Sequence, residues 1–180
     1  MSKSNDAAHQ NNVVKADEAG YAAIPRLIGD LDCADVETCQ KARLRLVSMG
    51  KPAVGPLIEA LKSRKLWVRW EAAKALGQIA DPTSTEALVQ ALRDRKFAVR
   101  WLAAEALIAI GRDGLKPLLG GLIEDADAPW LRQGAHHILR TLAQKGLRKT
   151  VQPLLVALDG VEPAMEVPLA ARKVLDALTR

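Results

Sequence analysis

The stretch Val68-Arg69-Trp70-Glu71-Ala72-Ala73-Lys74-Ala75-Leu76 returns 31 residues later as Val99-Arg100-Trp101-Leu102-Ala103-Ala104-Glu105-Ala106-Leu107. A looser copy is Leu131-Arg132-Gln133-Gly134-Ala135-His136-His137-Ile138-Leu139, and fainter ones end at Leu46 and Leu175. A second echo precedes each copy: Ile24-Pro25-Arg26-Leu27-Ile28, Gly55-Pro56-Leu57-Ile58, Lys116-Pro117-Leu118-Leu119 and Gln152-Pro153-Leu154-Leu155. In the third unit Glu86-Ala87-Leu88-Val89 stands there, without the proline.

Each unit reads as two helices. In the second unit Val54, Leu57, Ile58 and Leu61 form one helical stripe. Pro56 falls in that helix's first turn, where a missing N–H costs nothing. The next helix buries Val68, Ala72, Ala75, Leu76 and Ile79. Asp81-Pro82 ends it, because the residue before proline resists the helical region, and Lys51-Pro52 closes the previous unit in the same way. A lone pair cannot cover its stripes, whereas stacked pairs cover one another. The expected fold is an all-α, right-handed α-solenoid of about five helix pairs, over roughly 22–52, 53–82, 83–112, 113–146 and 147–178. Residues 17–180 form one domain, and 1–16 are a polar, unpatterned tail. The last unit is irregular, with Gly160-Val161-Glu162-Pro163 lengthening its turn.

Composition agrees. The 180 residues are 49% hydrophobic, with four Trp but only one Phe and one Tyr. That favours close-packed helices over strands. Cys33 and Cys39 lack CxxC spacing and read as reduced thiols, which fits a cytoplasmic location. No hydrophobic leader opens the chain, and no apolar run reaches the roughly 18 residues that span a bilayer. The net charge of +5 and pI of about 9.4 favour acidic partners.

The pattern LxDxxxxVRxxAAxALGxI resembles the short HEAT-like repeat of phycobilin lyases, over about 22–178. It is carried by Leu61, Val68, Arg69, Ala72, Ala73, Leu76, Gly77 and Ile79, and again by Leu92, Asp94, Val99, Arg100, Ala103, Ala104, Leu107 and Ile110. Ser63 stands where the pattern has Asp. The resemblance implies that Arg69, Arg100 and Arg132 are ladder residues pairing with aspartates within and between units. In the related deoxyhypusine hydroxylases, His-Glu pairs on the second helix hold two irons. Here those positions are Trp70-Glu71 and Trp101-Leu102, so no metal site is expected.

No catalytic constellation stands out, and no cofactor is implied. GxSxG, P-loop and dinucleotide-binding glycine patterns are missing. His136 and His137 are adjacent and diverge on a helix. Gly120-Gly121 reads as a site of close helix approach.

Projection at 100° per residue puts Trp70 and Lys74 away from their own unit's core. The same slots hold Gln40, Arg43, Leu44 and Val47 in the first unit, Trp101, Ala104, Glu105 and Ile108 in the third, and Gln133, His136, His137 and Arg140 in the fourth; the candidate site residues among them are Leu44, Val47, Trp70, Lys74, Trp101, Glu105, Ile108 and His137. Second helices of such stacks line an inner, concave surface, so these residues form a candidate partner-binding strip. Trp70 packing against Trp101 between units is the other reading. Trp67 and Trp130 read as turn packing. Basic residues in the turns (Lys62, Arg64, Lys65, then Arg93, Arg95, Lys96) make a ridge that Glu124-Asp125-Ala126-Asp127 interrupts. The leading expectation is a non-catalytic scaffold or adaptor for another protein with an acidic or mixed apolar and acidic segment. A bilin or tetrapyrrole lyase-like chaperone and a DNA-binding HEAT-like protein, as in the alkylpurine glycosylases, are the alternatives.

Overall fold

The computed structural model describes residues 21–32, 35–125 and 127–179. The expected tail over 1–16 lies outside them. Among the described residues there are ten α-helices and no strand. They form five pairs: α1 (Ile24–Gly29) with α2 (Val36–Met49), α3 (Lys51–Ala60) with α4 (Leu66–Ile79), α5 (Thr85–Ala91) with α6 (Phe97–Ile110), α7 (Leu115–Glu124) with α8 (Pro129–Leu142), and α9 (Arg148–Leu158) with α10 (Pro163–Thr179). The chain is an α-solenoid, as the repeat requires.

Two layers run along the stack. The first helices pack α1 on α3 and α5 on α7, with α3 against the 3-10 turn Pro82–Ser84 that leads into α5. The second helices pack α2 on α4, α4 on α6 and α6 on α8. Leucines from successive units, among them Leu46, Leu57, Leu76, Leu92, Leu107, Leu118 and Leu131, are fully buried and join one continuous core. Each unit thus covers the stripe that its neighbour cannot cover alone.

Small residues set the tightest seam. A Cβ added to Gly77 on α4 would sit 3.1 Å from the Ala106 backbone on α6, so the two helices touch along their backbones. Ion pairs cross between units as well. Arg43 on α2 meets Glu71 on α4 at 2.8 Å, both buried. Arg69 on α4 reaches Asp94 in the next turn through Nε at 2.6 Å and Nη2 at 3.2 Å, and Nη1 donates to the Ser63 carbonyl at 2.8 Å. Arg69 is therefore a ladder residue, as the resemblance implies.

Three expectations need correction. Lys51-Pro52 does not close the first unit but opens α3, with proline at the helix start and Gly50 as the junction; proline at a first turn is as good a start signal as a stop signal. Pro56 consequently lies inside α3, not at its first turn. Cys39 is disulfide-bonded rather than a reduced thiol. The spacing rule that excludes a CxxC pair says nothing about a bridge, and the thiol argument for a reducing compartment is lost. Cys33 lies outside the described residues.

The last pair changes layers. After α8 the chain turns through a π-helical segment, Ala143–Leu147, where Gly146 takes φ 100°, a conformation that suits glycine. Beyond it α9 packs on α8, and α10 packs on α7. The first helix of this unit therefore extends the layer of second helices, and the second extends the other. The slots of Ala73 and Gly77 on α4 hold His136 and Arg140 on α8. Those side chains are too large for the backbone contact of the α4–α6 seam. His136 instead meets Asp159, in the turn after α9, at 2.9 Å. No helix of the described residues is long and apolar enough to cross a membrane.

Candidate functional site

Two stripes with the same spacing face each other across α6 and α8. On α6 the stripe is Phe97, Arg100, Trp101 and Ala104, at i, i+3, i+4 and i+7. On α8 it is Trp130, Gln133, Gly134 and His137, at the same offsets. Such positions share one helix face. Together they line a mostly apolar cleft of about 180 Å³. Ala104 is buried and a Cβ on Gly134 would meet the Leu92 side chain at 3.0 Å, so these two positions lie against the core and the rings bound the open space.

Rings wall the cleft. The His137 imidazole stacks on Trp101 with centroids 4.7 Å apart, and its Nε2 lies 2.8 Å from Glu105 Oε1 on α6. Phe97 lies 6.2 Å from Trp101 in a tilted arrangement. The Arg100 guanidinium sits 4.2 Å from the Trp130 ring centre and 5.7 Å from that of Phe97, and its Nη1 donates to the Asp94 carbonyl at 2.9 Å. Trp101 is 46% exposed and Trp130 52%. The site thus offers solvent-facing aromatic surface with one guanidinium held over it. Both features suit an apolar group with a negative charge beside it.

Of the strip read from the sequence, Trp101 and His137 enter this cleft, and Glu105 holds His137 in place. Trp70 and Lys74 form their own pair one helix away, with Lys74 Nζ 4.6 Å from the ring. Trp70 is half-buried and edge-on to Trp67 at 5.9 Å. Leu44 is exposed and Val47 half-buried, both on α2 and outside the cleft. Ile108 does not belong to an exposed strip: it is buried, at 6% exposure. Its slot projects outward from its own helix pair, but in the stack it joins the continuous core. Trp67 and Trp130 are not packed into turns; both stand more than half exposed.

Sequence reading missed Phe97, Arg100, Trp130 and Gly134 as site residues, and placed Gln133 in the outward slot of the fourth unit without choosing it. A signal was available, because Phe97/Arg100/Trp101 and Trp130/Gln133/Gly134 share one spacing. Arg100 was read as a ladder residue instead. The ladder aspartate for it would be Asp125, one repeat after Asp94, but Arg93 takes that carboxylate at 3.0 Å. Arg100 turns to the rings.

The basic turns do stack, since Arg95 donates to the Arg64 carbonyl at 3.0 Å. Much of their charge is spoken for: Lys62 pairs with Glu59, Lys65 with Asp32 and Arg93 with Asp125. Among the described residues no three of His, Cys, Asp and Glu gather as a metal ion would need.

A family model of HEAT repeats matches residues 24–107 and, overlapping it, 54–140. No curated protein matches the chain. Among solved structures, the designed armadillo repeat protein YIII(Dq)4CqI is 19% identical over 86% of this chain and 99% of its own, with a TM-score of 0.40.

Proposed function

The chain belongs to the HEAT-repeat family, and from that premise we propose that it is a non-catalytic scaffold that docks a segment of another protein on its second-helix face. The observation that carries this reading is the cleft of Phe97, Trp101, Trp130 and His137. Three large rings left open to solvent around one unfilled space are a poor way to stabilise a monomer and a good anchor site for a partner. The Arg100 guanidinium gives the anchor a charge preference, so the partner presents an apolar side chain with acidic residues nearby. A nucleic-acid track needs an unbroken row of free cations. The paired lysines and arginines of the turns favour a protein instead. Within the family we assign the repeat to the short phycobilin-lyase type, on the Arg69–Asp94 pair that the resemblance implies.

The test compares native extract passed over the immobilised wild-type chain and over a Trp101→Ala/Trp130→Ala variant. Circular dichroism and Tm are measured on both. The expected result is an unchanged helical spectrum, a Tm within a few degrees, and loss of the captured partner. A Trp67→Ala variant should retain it. Equal recovery by the folded double variant removes the cleft from the interaction. Addition of bilins with no change in absorbance excludes the pigment-handling reading.

A further inference from the structure

We propose that a second subsite lies beside the cleft, a pocket for a carboxylate between Arg140 and Arg148, and that one extended partner segment fills both. This rests on the docking reading above and adds a second charge, a place and a spacing to it.

The pocket, about 230 Å³, is lined by Arg140, Ala143, Gln144, Arg148, Gln152 and Leu155. Its polar lining is two guanidiniums and two amides, with no carboxylate. Among the described residues neither Arg140 nor Arg148 has a hydrogen-bond or ion-pair partner, whereas Arg43, Arg69 and Arg93 each have one. Two unpaired like charges on one small pocket repel each other, and an anion between them removes that cost and gains charge-assisted hydrogen bonds. Helix stability explains only half of the arrangement. Arg140 lies in the last turn of α8, where a cation is favourable, but Arg148 opens α9, the end at which a cation is unfavourable.

The changed layering of the last pair builds the pocket. Because α9 rather than α10 packs on α8, Arg148 and Gln152 lie beside Arg140. Gln133, His137, Arg140 and Gln144 follow at i, i+4, i+7 and i+11, one stripe leading from the cleft to the pocket. The two centres are seven residues apart on this stripe, about 10 Å at the helical rise. An extended chain covers that in about three residues. The fitting segment has an apolar anchor and an acidic residue about three positions away.

Synthetic peptides test this on the full chain labelled with nitrogen-15. Each peptide is acetylated and amidated and carries one Phe and one Glu in a Gly/Ser background. With Glu three residues from Phe, the indole N–H signals of Trp101 and Trp130 and the side-chain amide signals of Gln144 and Gln152 should shift along one saturation curve. Replacing Glu by Gln, or placing it next to Phe, should weaken binding about fivefold. An Arg140→Ala/Arg148→Ala chain should bind the Glu peptide no better than the Gln peptide, with its Tm unchanged because both side chains are exposed. Indole shifts that are indifferent to Glu and to both arginines overturn the carboxylate subsite and leave the docking reading standing. No indole shift with any peptide overturns both. A phosphoserine peptide or inorganic phosphate binding more than tenfold tighter than the Glu peptide overturns the choice of a carboxylate.

Discussion

Helices α4 and α6 carry almost the same sequence one repeat apart and are put to different use. On α4, Arg69 is buried and clamps Asp94, and Trp70 is half-buried with Lys74 over its ring. On α6, Arg100 lies between Phe97 and Trp130, and Trp101 faces the open cleft. A repeat slot fixes where a side chain starts and in which direction it leaves the helix. What it meets depends on the next unit. Arg69 finds Asp94 available, whereas Arg100 finds Asp125 already held by Arg93. Identical residues in identical slots therefore divide into one that clamps a carboxylate of the next turn and one that lies against two rings and donates to the Asp94 carbonyl.

The largest expected effect separates these two arginines. Arg69→Met leaves the Asp94 carboxylate, itself nearly buried, without its cation. Breaking such a pair from one side costs about 3–5 kcal/mol. Arg100→Met removes a guanidinium from a half-open ring surface and should cost less than about 1 kcal/mol. Urea unfolding followed by circular dichroism measures both. Equal losses would mean that Arg100 supports the fold as Arg69 does, and the division between the helices would fail.

The next effect concerns Ile108 and Leu44, which the sequence pattern places on one outward strip. Ile108 is buried and Leu44 is 48% exposed. Ile108→Ala should cost about 2–4 kcal/mol through lost burial and the cavity left behind. Leu44→Ala should stay within about 0.5 kcal/mol. The same unfolding experiment ranks them, and a mild Ile108→Ala would return this residue to the surface.

Ile108 also shows what the sequence could and could not give. The helix pairs, their order and the inward stripes follow from the 31-residue echo, because apolar spacing within one helix is a local property. A projection of a single helix has no neighbours in it. It left Ile108 facing water, whereas in the stack it is buried in a core that runs through successive units. It also sent Trp130 into a turn, since the opposing stripe on α6 was not in view. The layer change of the last pair was equally hidden. It shows only in which helices the last pair packs against, which no spacing within one helix records. The pairing of Arg93 with Asp125 was legible in neither spacing nor composition, yet it frees Arg100 for the cleft.

The smallest expected effect lies at the junctions that carry one unit into the next. Between α4 and α5 the turn is held by Asp81, whose carboxylate accepts from the Thr83 hydroxyl at 2.6 Å and from the Thr83 N–H at 2.9 Å. Between α6 and α7 the equivalent place is the glycine-bounded turn Gly111–Gly114, whose cap involves no side-chain hydrogen bond. The two bonds, hydroxyl first, hold the Asp81 pKa below its ordinary value of 3.8. A folded-state pKa that is depressed contributes stability above the unfolded value, and that contribution is lost as pH falls through the folded one. Asp81→Asn should therefore lower Tm slightly at pH 7, and the gap to wild type should begin to shrink as the pH falls to 3.8 and close only further down, once the pH has passed through the lower folded-state pKa and the aspartate is protonated in both states. Solvent exposure keeps the effect small. Gly111→Ala, at a φ of 76°, should lower Tm by an amount that does not change with pH, because only backbone strain is involved. A pH-independent gap for Asp81→Asn would mean that this junction too is held by backbone shape rather than by its carboxylate.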